Sequence, residues 1–424
     1  MKRREFLHKS IGISAVASGM NMNSHAEQLK KSIATSKINT QKNFDVIVLG
    51  VGSMGSSTCY YLAKQGVKVL GLEQFDIPHE MGSHAGQSRI IRKAYFEHPD
   101  YVPLLEKSYQ NWREIEQVTG STIYTKTGLL YFGKPNHQLI TGVKESSEKY
   151  KVQVDTLTND TAKRKYPQFN IPPDYVKLFE PDAGFVTPEK AILLYTQQAL
   201  QLGAVIKTKE KIVSWQRIKD GISVTTGTGS FTAKKLIITA GPWAGKLIPG
   251  LTKTLNVTRQ MIAWVKPKNW KAFELGNFPC WTIADEVNPG IFYGFPILPI
   301  EKFGGPLGLK LAHHYPGTIT DPDTISRIPT PEDESILTYA LNKFIPEGYE
   351  STLVMKTCMY TNTPDENFIL DFVPGYDTDV VVATGFSGHG FKFASVVGEI
   401  MADLATKGKT NMPIGFLQAN RFVK

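Results

Sequence analysis

Residues 44–74 carry the strongest evidence for the fold and read FDVIVLGVGSMGSSTCYYLAKQGVKVLGLEQ. From Val46 to Leu49 the apolar side chains are continuous, as in a strand buried within a parallel sheet. Gly50, Gly52 and Gly55 follow in the spacing G-x-G-x-x-G. The first glycine allows a tight turn, the second lets a ligand approach the backbone, and the third lets a helix pack on the strand. The stretch therefore predicts a strand, a turn and a helix around a bound ligand.

The residues after the glycines complete this unit. A helix is predicted to about Gln65, with Gly66 at its end, and a second strand is predicted from Val67 to Leu72. Glu73 follows at the strand tip, where the ribose of a nucleotide needs a hydrogen-bond acceptor. An acid there disfavours a 2′-phosphate, which leaves NAD or FAD. A glycine turn in an ordinary α/β domain is the alternative, but the five agreeing features favour a dinucleotide site.

The first residues have the parts of an export signal in the right order. Arg3 and Arg4 form a twin-arginine pair, and a weakly apolar run follows over residues 11–20. Residues 24–26 read SHA, the small-x-Ala form of a cleavage site. The apolar run is too short to span a bilayer. This order resembles a Tat export signal, and a disordered basic tail is the alternative.

The signal sets the expected start of the folded chain. We expect residues 1–26 to be a Tat-type signal peptide, with the Tat export machinery as a partner. The protein would then be periplasmic, or otherwise extracytoplasmic, after cleavage near Ala26. Residues 27–43 are polar and are expected to form a linker between leader and first domain.

Composition argues against several classes of protein. The formal net charge of +9 comes with scattered lysines and no basic stripe, so no nucleic-acid partner is predicted. Cys59, Cys280 and Cys358 are too few and too widely spaced for a disulfide framework or a zinc site, and no metal is expected. No segment after the leader is long and apolar enough for stable membrane insertion.

A second glycine-rich unit lies near the C-terminus. Residues 380–408 predict a strand, a turn and an amphipathic helix, with Lys392 just inside the helix. Gly385, Gly388 and Gly390 open the backbone of the turn, so that helix N–H groups can face an electron-rich ligand edge. The unit is therefore expected to contribute to the same dinucleotide site.

Separated segments are expected to build two domains of α/β class. Residues 44–125, 184–249 and 355–424 are assigned to a Rossmann-type nucleotide-binding domain. Residues 126–183 and 250–354 have alternating polar and apolar runs and many prolines. They are expected to form a mainly antiparallel-sheet substrate domain.

Two arginines follow the loop after the second strand. Residues 76–88 are rich in glycine, serine and histidine and lead into an extended stretch containing Arg89 and Arg92. Side chains alternate along an extended chain, so their odd separation predicts opposite faces. Guanidinium groups on either side of a planar ring would suit a flavin with a carboxylate substrate. Two surface arginines on an edge strand are the alternative.

Six motifs occur in a recognisable order along the chain. They are FDVIVLGVGSMG, GSHAGQSRIIRKAY, YGFP, LKLAHH, CMYTNTPDENFILD and GFSGHGFKF. Together, over about residues 44–420, they resemble the monomeric sarcosine oxidase and N-methyltryptophan oxidase family. The resemblance implies FAD as the cofactor, a monomer, and oxidation of a secondary, N-methylated amino acid. Dioxygen would be the electron acceptor, and the products would be the demethylated amino acid, formaldehyde and hydrogen peroxide.

The resemblance also implies roles for particular residues. Cys358, in a run of polar and turn-forming residues, would be a partly exposed thiolate joined by a thioether to the flavin 8α carbon. Arg92 and Lys392 would bind the substrate carboxylate. Lys310 would activate dioxygen, and a surface lysine is its alternative.

The remaining implied residues lie around the flavin. Arg89, on the face opposite Arg92, and the cavity-lining His314 and Tyr293 join Lys310 as catalytic candidates. A satisfied polar histidine and a core tyrosine are the alternatives for the last two. The expected cofactor-binding residues are Gly50, Gly52, Ser53, Met54, Gly55, Glu73, Ser83, Ser88, Arg89, Cys358, Gly388, Gly390 and Lys392.

Two departures from the family pattern lie near the expected substrate cavity. The family commonly has two histidines where this chain has His84 and Ala85, and the link PILPIEKFGGPLG before Lys310 is longer than usual. They leave the substrate open, and an oxidase of cyclic secondary amino acids such as pipecolate or proline would also fit. An exported dehydrogenase that passes electrons to a quinone is a second alternative, against which Lys310 argues, and a flavin-holding binding or assembly protein without turnover is a third.

Overall fold

The structure is a computed structural model that describes residues 27, 29–33, 42–315 and 317–422. The predicted signal peptide, residues 1–26, lies outside the described residues, as do positions 28 and 34–41 of the predicted linker. Residues 29–33 are helical, and Leu29 and Ile33 are buried in the core of the nucleotide-binding half. This part of the predicted linker therefore packs on the domain.

An eight-stranded sheet carries the glycine fingerprint. Its strands are β1 (Asn43–Leu49), β2 (Val69–Glu73), β9 (Val205–Thr208), β10 (Ile212–Ile218), β11 (Gly221–Thr226), β12 (Gly229–Ile238), β19 (Ile369–Phe372) and β20 (Val380–Thr384). The main order is β10-β11-β12-β1-β2-β9, and β20 pairs with the C-terminal part of β12. β1, β2, β9, β12 and β20 pair in parallel, so their carboxyl ends meet at one edge.

Buried helices cover this sheet. The longer ones are Ser53–Lys64, Val102–Thr119, Pro188–Gln201 and Ala394–Lys407. The first is buried from Met54 to Ala63, because the glycine fingerprint brings it against the sheet and the last helix closes over it. Ser57 Oγ donates to the carbonyl oxygen of Ala394 over 2.7 Å. The N-terminal and C-terminal glycine-rich units are thus packed together, as predicted.

A nine-stranded sheet forms the second half. Its strands are β5 (Leu129–Gly133), β6 (Asp155–Thr156), β7 (Val176–Glu180), β13 (Asn256–Lys266), β14 (Cys280–Ala284), β15 (Ile291–Phe295), β16 (Leu309–His314), β17 (Thr318–Ile319) and β18 (Ser351–Asn362). Neighbours are antiparallel except β5 and β14, which are parallel. The helices here are Gln138–Tyr150, Asn159–Lys165, Ile300–Phe303 and Pro331–Phe344. The predicted antiparallel character is therefore present.

Short elements connect the two halves. β3 (Arg89–Ile91), β4 (Tyr124–Lys126) and β8 (Gly184–Val186) form a three-stranded antiparallel sheet. A short helix spans Ala244–Leu247. Turns of 3₁₀ helix span Pro99–Tyr101, Gly241–Trp243, Pro249–Leu251, Trp270–Phe273, Phe391–Phe393, Gly415–Leu417 and Ala419–Phe422.

Two details differ from the sequence interpretation. Cys358 lies in β18, although the residues around it are polar and turn-forming, because this strand pairs with β13. The predicted domain boundary at residue 355 falls inside β18, so residues 351–362 belong to the nine-stranded sheet. The mixed α/β class is confirmed. In the described ranges, no helix combines the length and apolarity needed to cross a bilayer.

Candidate active site

A cavity of about 370 Å³ lies where the carboxyl ends of the parallel strands face the nine-stranded sheet. Most of the predicted site residues line it. They are Gly50, Gly52, Ser53, Met54, Glu73, Ser83, Arg89, Arg92, Tyr293, His314, Cys358, Gly388, Gly390 and Lys392. The predicted residues that do not line it are Gly55, Ser88 and Lys310.

The glycine fingerprint shapes one end of the cavity. Gly50 has φ of 90°, and a Cβ there would lie 2.7 Å from the carbonyl oxygen of Thr239. A Cβ on Gly55 would lie 1.8 Å from the carbonyl oxygen of Gly50, so only glycine allows this approach of helix to strand. A Cβ on Gly52 would meet only His84 Nδ1, at 3.7 Å. The first and third glycines are therefore required by packing, whereas the second keeps space open.

Glu73 is fixed by the backbone at the tip of β2. Its Oε2 accepts from the N–H of Val51 over 2.9 Å, and its Oε1 accepts from the N–H of Phe75 over 3.0 Å. The residue is 4% exposed, and burial raises the pKa of its carboxyl to about 7. His79 Nε2 lies 3.5 Å from Oε1, and burial lowers the pKa of this imidazole to about 3, so the histidine is neutral. The carboxyl is an acceptor held in one orientation.

A buried nitrogen in the same region has no protein partner. His84 is buried and lines the cavity, and its Nε2 makes no hydrogen bond to any described residue. Burial lowers the pKa of His84 to about 4, so the imidazole is neutral. A buried polar atom of this kind is costly unless something bonds to it. The nitrogen fits a bound polar group such as part of a dinucleotide.

Cys358 faces the cavity beside a positive charge. Its register partner on β13 is Gln260, and its Sγ lies 3.5 Å from the carbonyl oxygen of Ser83. Arg89 Nη2 is 3.8 Å from the sulfur. The residue is 4% exposed, so the expectation of a partly exposed thiol is wrong, because β18 packs the thiol against the Ser83 loop. Reactivity towards a ligand then depends on access from the cavity.

The other two cysteines differ from Cys358 in surroundings. Cys59 and Cys280 are fully buried and do not line the cavity. Burial raises the pKa of each thiol to about 12. A thiol that stays protonated is a poor nucleophile, so both have the character of small apolar side chains.

Arg89 is held by main-chain oxygens. Its guanidinium donates to the carbonyl oxygens of Ser83, Ala85 and Ser88 over 3.1, 2.7 and 2.9 Å. These bonds fix the group next to Cys358. Because carbonyls carry no net charge, the arginine keeps a positive field in the cavity.

Arg92 is paired with an acid that the sequence interpretation missed. Arg92 Nη2 donates to both carboxylate oxygens of Glu97 over 2.6 and 2.7 Å. The guanidinium also lies 4.2 Å from the ring centroid of Tyr95 and 4.3 Å from that of Phe96. Burial alone would raise the pKa of Glu97, but the nearby charges, of which Arg92 is the strongest, lower it to about 2. The pair is therefore ionised, and the acid five residues on was its only sequence signal.

Lys392 is a second buried cation, besides Arg92, that lines the cavity. It is buried, and its Nζ donates to the carbonyl oxygen of His389 over 2.6 Å. Burial, followed by the charge of Arg92, lowers the pKa of Lys392 to about 7. An anion that entered the cavity would favour its protonated form. The site can thus offer two buried cations to one carboxylate.

Lys310 lies behind the cavity wall. It is 1% exposed, and its Nζ donates to the carbonyl oxygens of Gly86 and Ser88 over 2.5 and 2.6 Å and to Ser88 Oγ over 3.1 Å. Its ammonium lies 4.4 Å from the ring centroid of Phe295. Burial, followed by the charge of Arg89, holds the pKa of Lys310 well below its usual value. Lys310 is therefore held against the turn at residues 86–88 and does not itself line the cavity.

Neutral side chains complete the wall. Tyr293 and His314 line the cavity as predicted, and Tyr360 and His389 line it without having been predicted. His314 Nδ1 is 3.4 Å from the hydroxyl of Tyr360. Burial lowers the pKa of His314 to about 4, so the imidazole is neutral near pH 7. Tyr360 lies two positions after Cys358, and His389 lies within the glycine-rich turn, so both were within reach of sequence reasoning.

Comparisons with known proteins agree with this geometry. The family model described as FAD dependent oxidoreductase matches residues 45–404. The chain is 41% identical over 384 residues to monomeric sarcosine oxidase from Bacillus sp. (strain B-0618), covering 89% of this chain and 96% of that protein. It is 32% identical over 382 residues to N-methyl-L-tryptophan oxidase from Citrobacter koseri, covering 90% and 100%.

A solved structure has the same fold. The open form of NikD, an unusual amino acid oxidase essential for nikkomycin biosynthesis, superposes with a TM-score of 0.78. It is 24% identical, with 89% of this chain and 98% of that chain covered. The two chains therefore share their fold over most of the length of this chain.

Proposed function

The chain belongs to the FAD-dependent oxidoreductase family, and on that premise we propose that it oxidises N-methylated amino acids. The observation that carries the proposal is that two buried cations, Arg92 and Lys392, line the cavity that Cys358 also faces. Such a pair suits the carboxylate of an amino acid. A cavity with one cysteine and a carboxylate site is what a covalently held flavin and an amino-acid substrate would need.

The residues present fit FAD. The turn from Gly50 to Gly55 leaves room for the pyrophosphate, Glu73 offers an acceptor to the ribose, and His84 Nε2 is a buried nitrogen free to bond to the cofactor. We assign the thioether to Cys358, because it is the cysteine that lines the cavity among the described residues. Bound FAD would supply the capacity to take two electrons from the substrate C–N unit.

The chain's own residues would bind and orient the substrate. A substrate carboxylate has to compete with Glu97 for Arg92, and it would also bind Lys392. Its arrival favours the protonated form of Lys392, which exchanges a proton near neutral pH. His314 and Tyr293 line the remaining space and exclude water from the N-methyl group. The imine product would hydrolyse to the free amino acid and formaldehyde.

Lys310 is proposed to support reoxidation by dioxygen, with hydrogen peroxide as product. Three oxygen acceptors surround its Nζ and orient the ammonium towards the 86–88 turn. In its protonated form, which can donate to all three acceptors, the ammonium would stabilise the negative charge that develops on oxygen.

A peroxide screen tests the proposal. Purified protein in air is given sarcosine, N-methyl-L-alanine, N-methyl-L-tryptophan, L-pipecolate and L-proline, and hydrogen peroxide is measured. We expect peroxide from at least one N-methyl amino acid and bleaching of the flavin by the same compound without oxygen. Bleaching without peroxide would favour a quinone acceptor, and peroxide only from the cyclic compounds would favour the cyclic substrate class. No bleaching by any compound would leave a flavin-holding protein.

We also propose that residues 1–26 are a signal peptide that directs export of the folded protein. The exported protein is proposed to be a monomer. The twin-arginine pair and the SHA cleavage form support export. N-terminal sequencing of protein from the periplasmic fraction should begin just after Ala26, and light scattering should give the mass of one chain. Retention of the protein in the cytoplasm with Met1 intact would exclude the signal.

A further inference from the structure

Tyr95 contacts both cations of the proposed carboxylate site without lining the cavity. It is fully buried, and its ring centroid lies 4.2 Å from the guanidinium carbon of Arg92 and 5.2 Å from Nζ of Lys392. Cations are attracted to the faces of aromatic rings, and more strongly where water is excluded. One side chain is thus a shared neighbour of the two charges.

The hydroxyl of Tyr95 reaches the residue that holds Lys392. It lies 2.5 Å from Nδ1 of His389 and 3.3 Å from the His389 carbonyl oxygen. The same carbonyl oxygen accepts from Lys392 Nζ over 2.6 Å. The hydroxyl has one hydrogen to offer these two acceptors, and both belong to His389, whose carbonyl oxygen anchors the lysine.

The other imidazole nitrogen determines the direction of these bonds. His389 Nε2 lies 3.0 Å from the carbonyl oxygen of Glu366, which can only accept, so Nε2 carries the hydrogen. Nδ1 then accepts from the hydroxyl of Tyr95. Burial lowers the pKa of His389 to about 3, so this neutral tautomer persists over the working range of pH. His389 is fixed at both nitrogens.

We propose that Tyr95 is a positioning residue for the substrate carboxylate, because its ring orders Arg92 and its hydroxyl, through His389, orders Lys392. The inference rests on the proposed function, in which these two cations bind that carboxylate. Without the hydroxyl, His389 Nδ1 is left buried and unpaired, and the carbonyl that anchors Lys392 loses a fixed point.

The groups that act on Lys392 determine how pH enters the test. Arg92 and Arg89 repel its ammonium, Glu97 attracts it, and the neighbouring His314 and His389 are neutral. Burial and the two arginines bring the pKa of Lys392 to about 7. A carboxylate ligand should therefore bind more weakly as the pH rises above about 7 and the lysine loses its proton.

The test is the binding of acetate to the flavin-loaded enzyme. Binding is measured from the change in the flavin absorption spectrum. Acetate has the carboxylate and no amine to oxidise. Tyr95→Phe keeps the ring and removes the hydroxyl, and it should raise the Kd for acetate about tenfold below pH 7, the effect of one lost hydrogen bond. The rise of Kd with pH should flatten, because a misplaced Lys392 contributes less in either protonation state.

Tyr101→Phe is the matched control. Tyr101 is also fully buried, its ring lies 5.0 Å from that of Tyr95, and its hydroxyl donates to Asn367 Oδ1 and accepts from the N–H of Phe368. No ring contact joins it to Arg92 or Lys392 among the described residues. It should lower thermal stability as Tyr95→Phe does, with the acetate Kd and its pH dependence unchanged.

A second background separates positioning from general loosening. Lys392→Met should weaken acetate binding and abolish the pH dependence, and Tyr95→Phe added to it should cost much less than tenfold. If Tyr95→Phe yields no flavin-loaded protein, His389→Leu removes the acceptor from the other side and should give the same loss and flattening.

Two results would overturn the inference. One is an unchanged acetate Kd and pH dependence in Tyr95→Phe, or in His389→Leu if that variant replaces it. The other is an equal tenfold loss with and without Lys392. Both are read without turnover, so they stay distinct from failure of the proposed function, which would appear as no peroxide from any amine.

Discussion

The two ends of the cavity hold their functional groups by different means. At the nucleotide end the backbone does so: Gly50 and Gly55 let the chain turn and pack, and main-chain N–H groups hold Glu73. At the other end, called the amine end, the functional groups are the charged side chains of Arg92, Lys310 and Lys392, which come from distant segments and each have their own acceptors. Lys310 bonds to residues more than 220 positions away in the chain, since its partners are Gly86 and Ser88.

This difference determines what each end tolerates. A backbone cradle fails when a side chain is added, because the clash is with main-chain atoms that cannot move cheaply. When one member of a cluster of buried charges is removed, its neighbours are left unpaired in a medium of low dielectric constant. The binding or reaction step that the cluster serves is then weakened. The amine end should therefore keep its fold but lose individual steps.

The largest effect should come from adding one methyl group at the nucleotide end. Gly55→Ala places a Cβ 1.8 Å from the carbonyl oxygen of Gly50, so the helix must leave the strand and flavin-loaded protein should not form. Gly52→Ala is the matched control, since its Cβ would meet only His84 Nδ1 at 3.7 Å. That variant should fold, as judged by circular dichroism, with reduced flavin affinity. A folded, yellow Gly55→Ala protein would break the comparison.

Removing one sulfur at the boundary between the two ends should give the next largest effect. Cys358→Ser should fold and bind FAD but release all of it on acid precipitation, because the proposed thioether cannot form. The measurement is flavin fluorescence in the supernatant and in the pellet. Cys280→Ser removes a buried thiol outside the cavity and should leave the pellet yellow. Retention of flavin by Cys358→Ser protein in the pellet would exclude the assignment.

The nucleotide end could be predicted from the sequence because its information is local. The strand, three glycines, helix and Glu73 lie within residues 44–74, and each is a direct consequence of hydrophobic spacing and backbone sterics. The structure places the helix at Ser53–Lys64 and the second strand at Val69–Glu73, within two residues of expectation.

For the amine end, the sequence predicts which residues take part but not how they pair. Arg92 and Lys392 were expected in the cavity and line it, but the pairing of Arg92 with Glu97 was not foreseen. Two residues explain why. β3 ends at Ile91, so the alternation used for Arg89 and Arg92 does not extend to Arg92. Cys358 lies in a strand that forms because β13, about 100 residues earlier in the chain, pairs with it. Partners of this kind are set by tertiary structure.

At the amine end, Lys310→Met should separate the two halves of the reaction. Flavin reduction by an N-methyl amino acid without oxygen should stay near the wild-type rate, and reoxidation should slow by about 10²–10³-fold, the typical effect of losing one electrostatic stabiliser. Stopped-flow absorbance measures both. Lys266→Met removes a surface ion pair with Glu350 and should change neither rate. If reduction slows as much as reoxidation, Lys310 has a structural role.

The smallest effect should come from Glu73, where the nucleotide end depends on a charge as well as on the backbone. Burial raises the pKa of its carboxyl from 4.5 to about 7, so the folded flavin-free protein holds this proton more tightly than the unfolded chain does. The group's contribution to stability is therefore complete below pH 4.5 and is lost as the pH rises to about 7, by at most about 3 kcal/mol. Glu73→Gln does not titrate, so the stability of the wild type relative to the variant should fall by that amount over that range. Urea unfolding of the flavin-free proteins at several pH values measures this change, with Glu350→Gln, a change in a surface ion pair, as the control.

A stability difference between wild type and Glu73→Gln that stays constant from pH 4.5 to 7 would mean that Glu73 is ionised throughout, and that the backbone N–H groups of Val51 and Phe75 outweigh its burial.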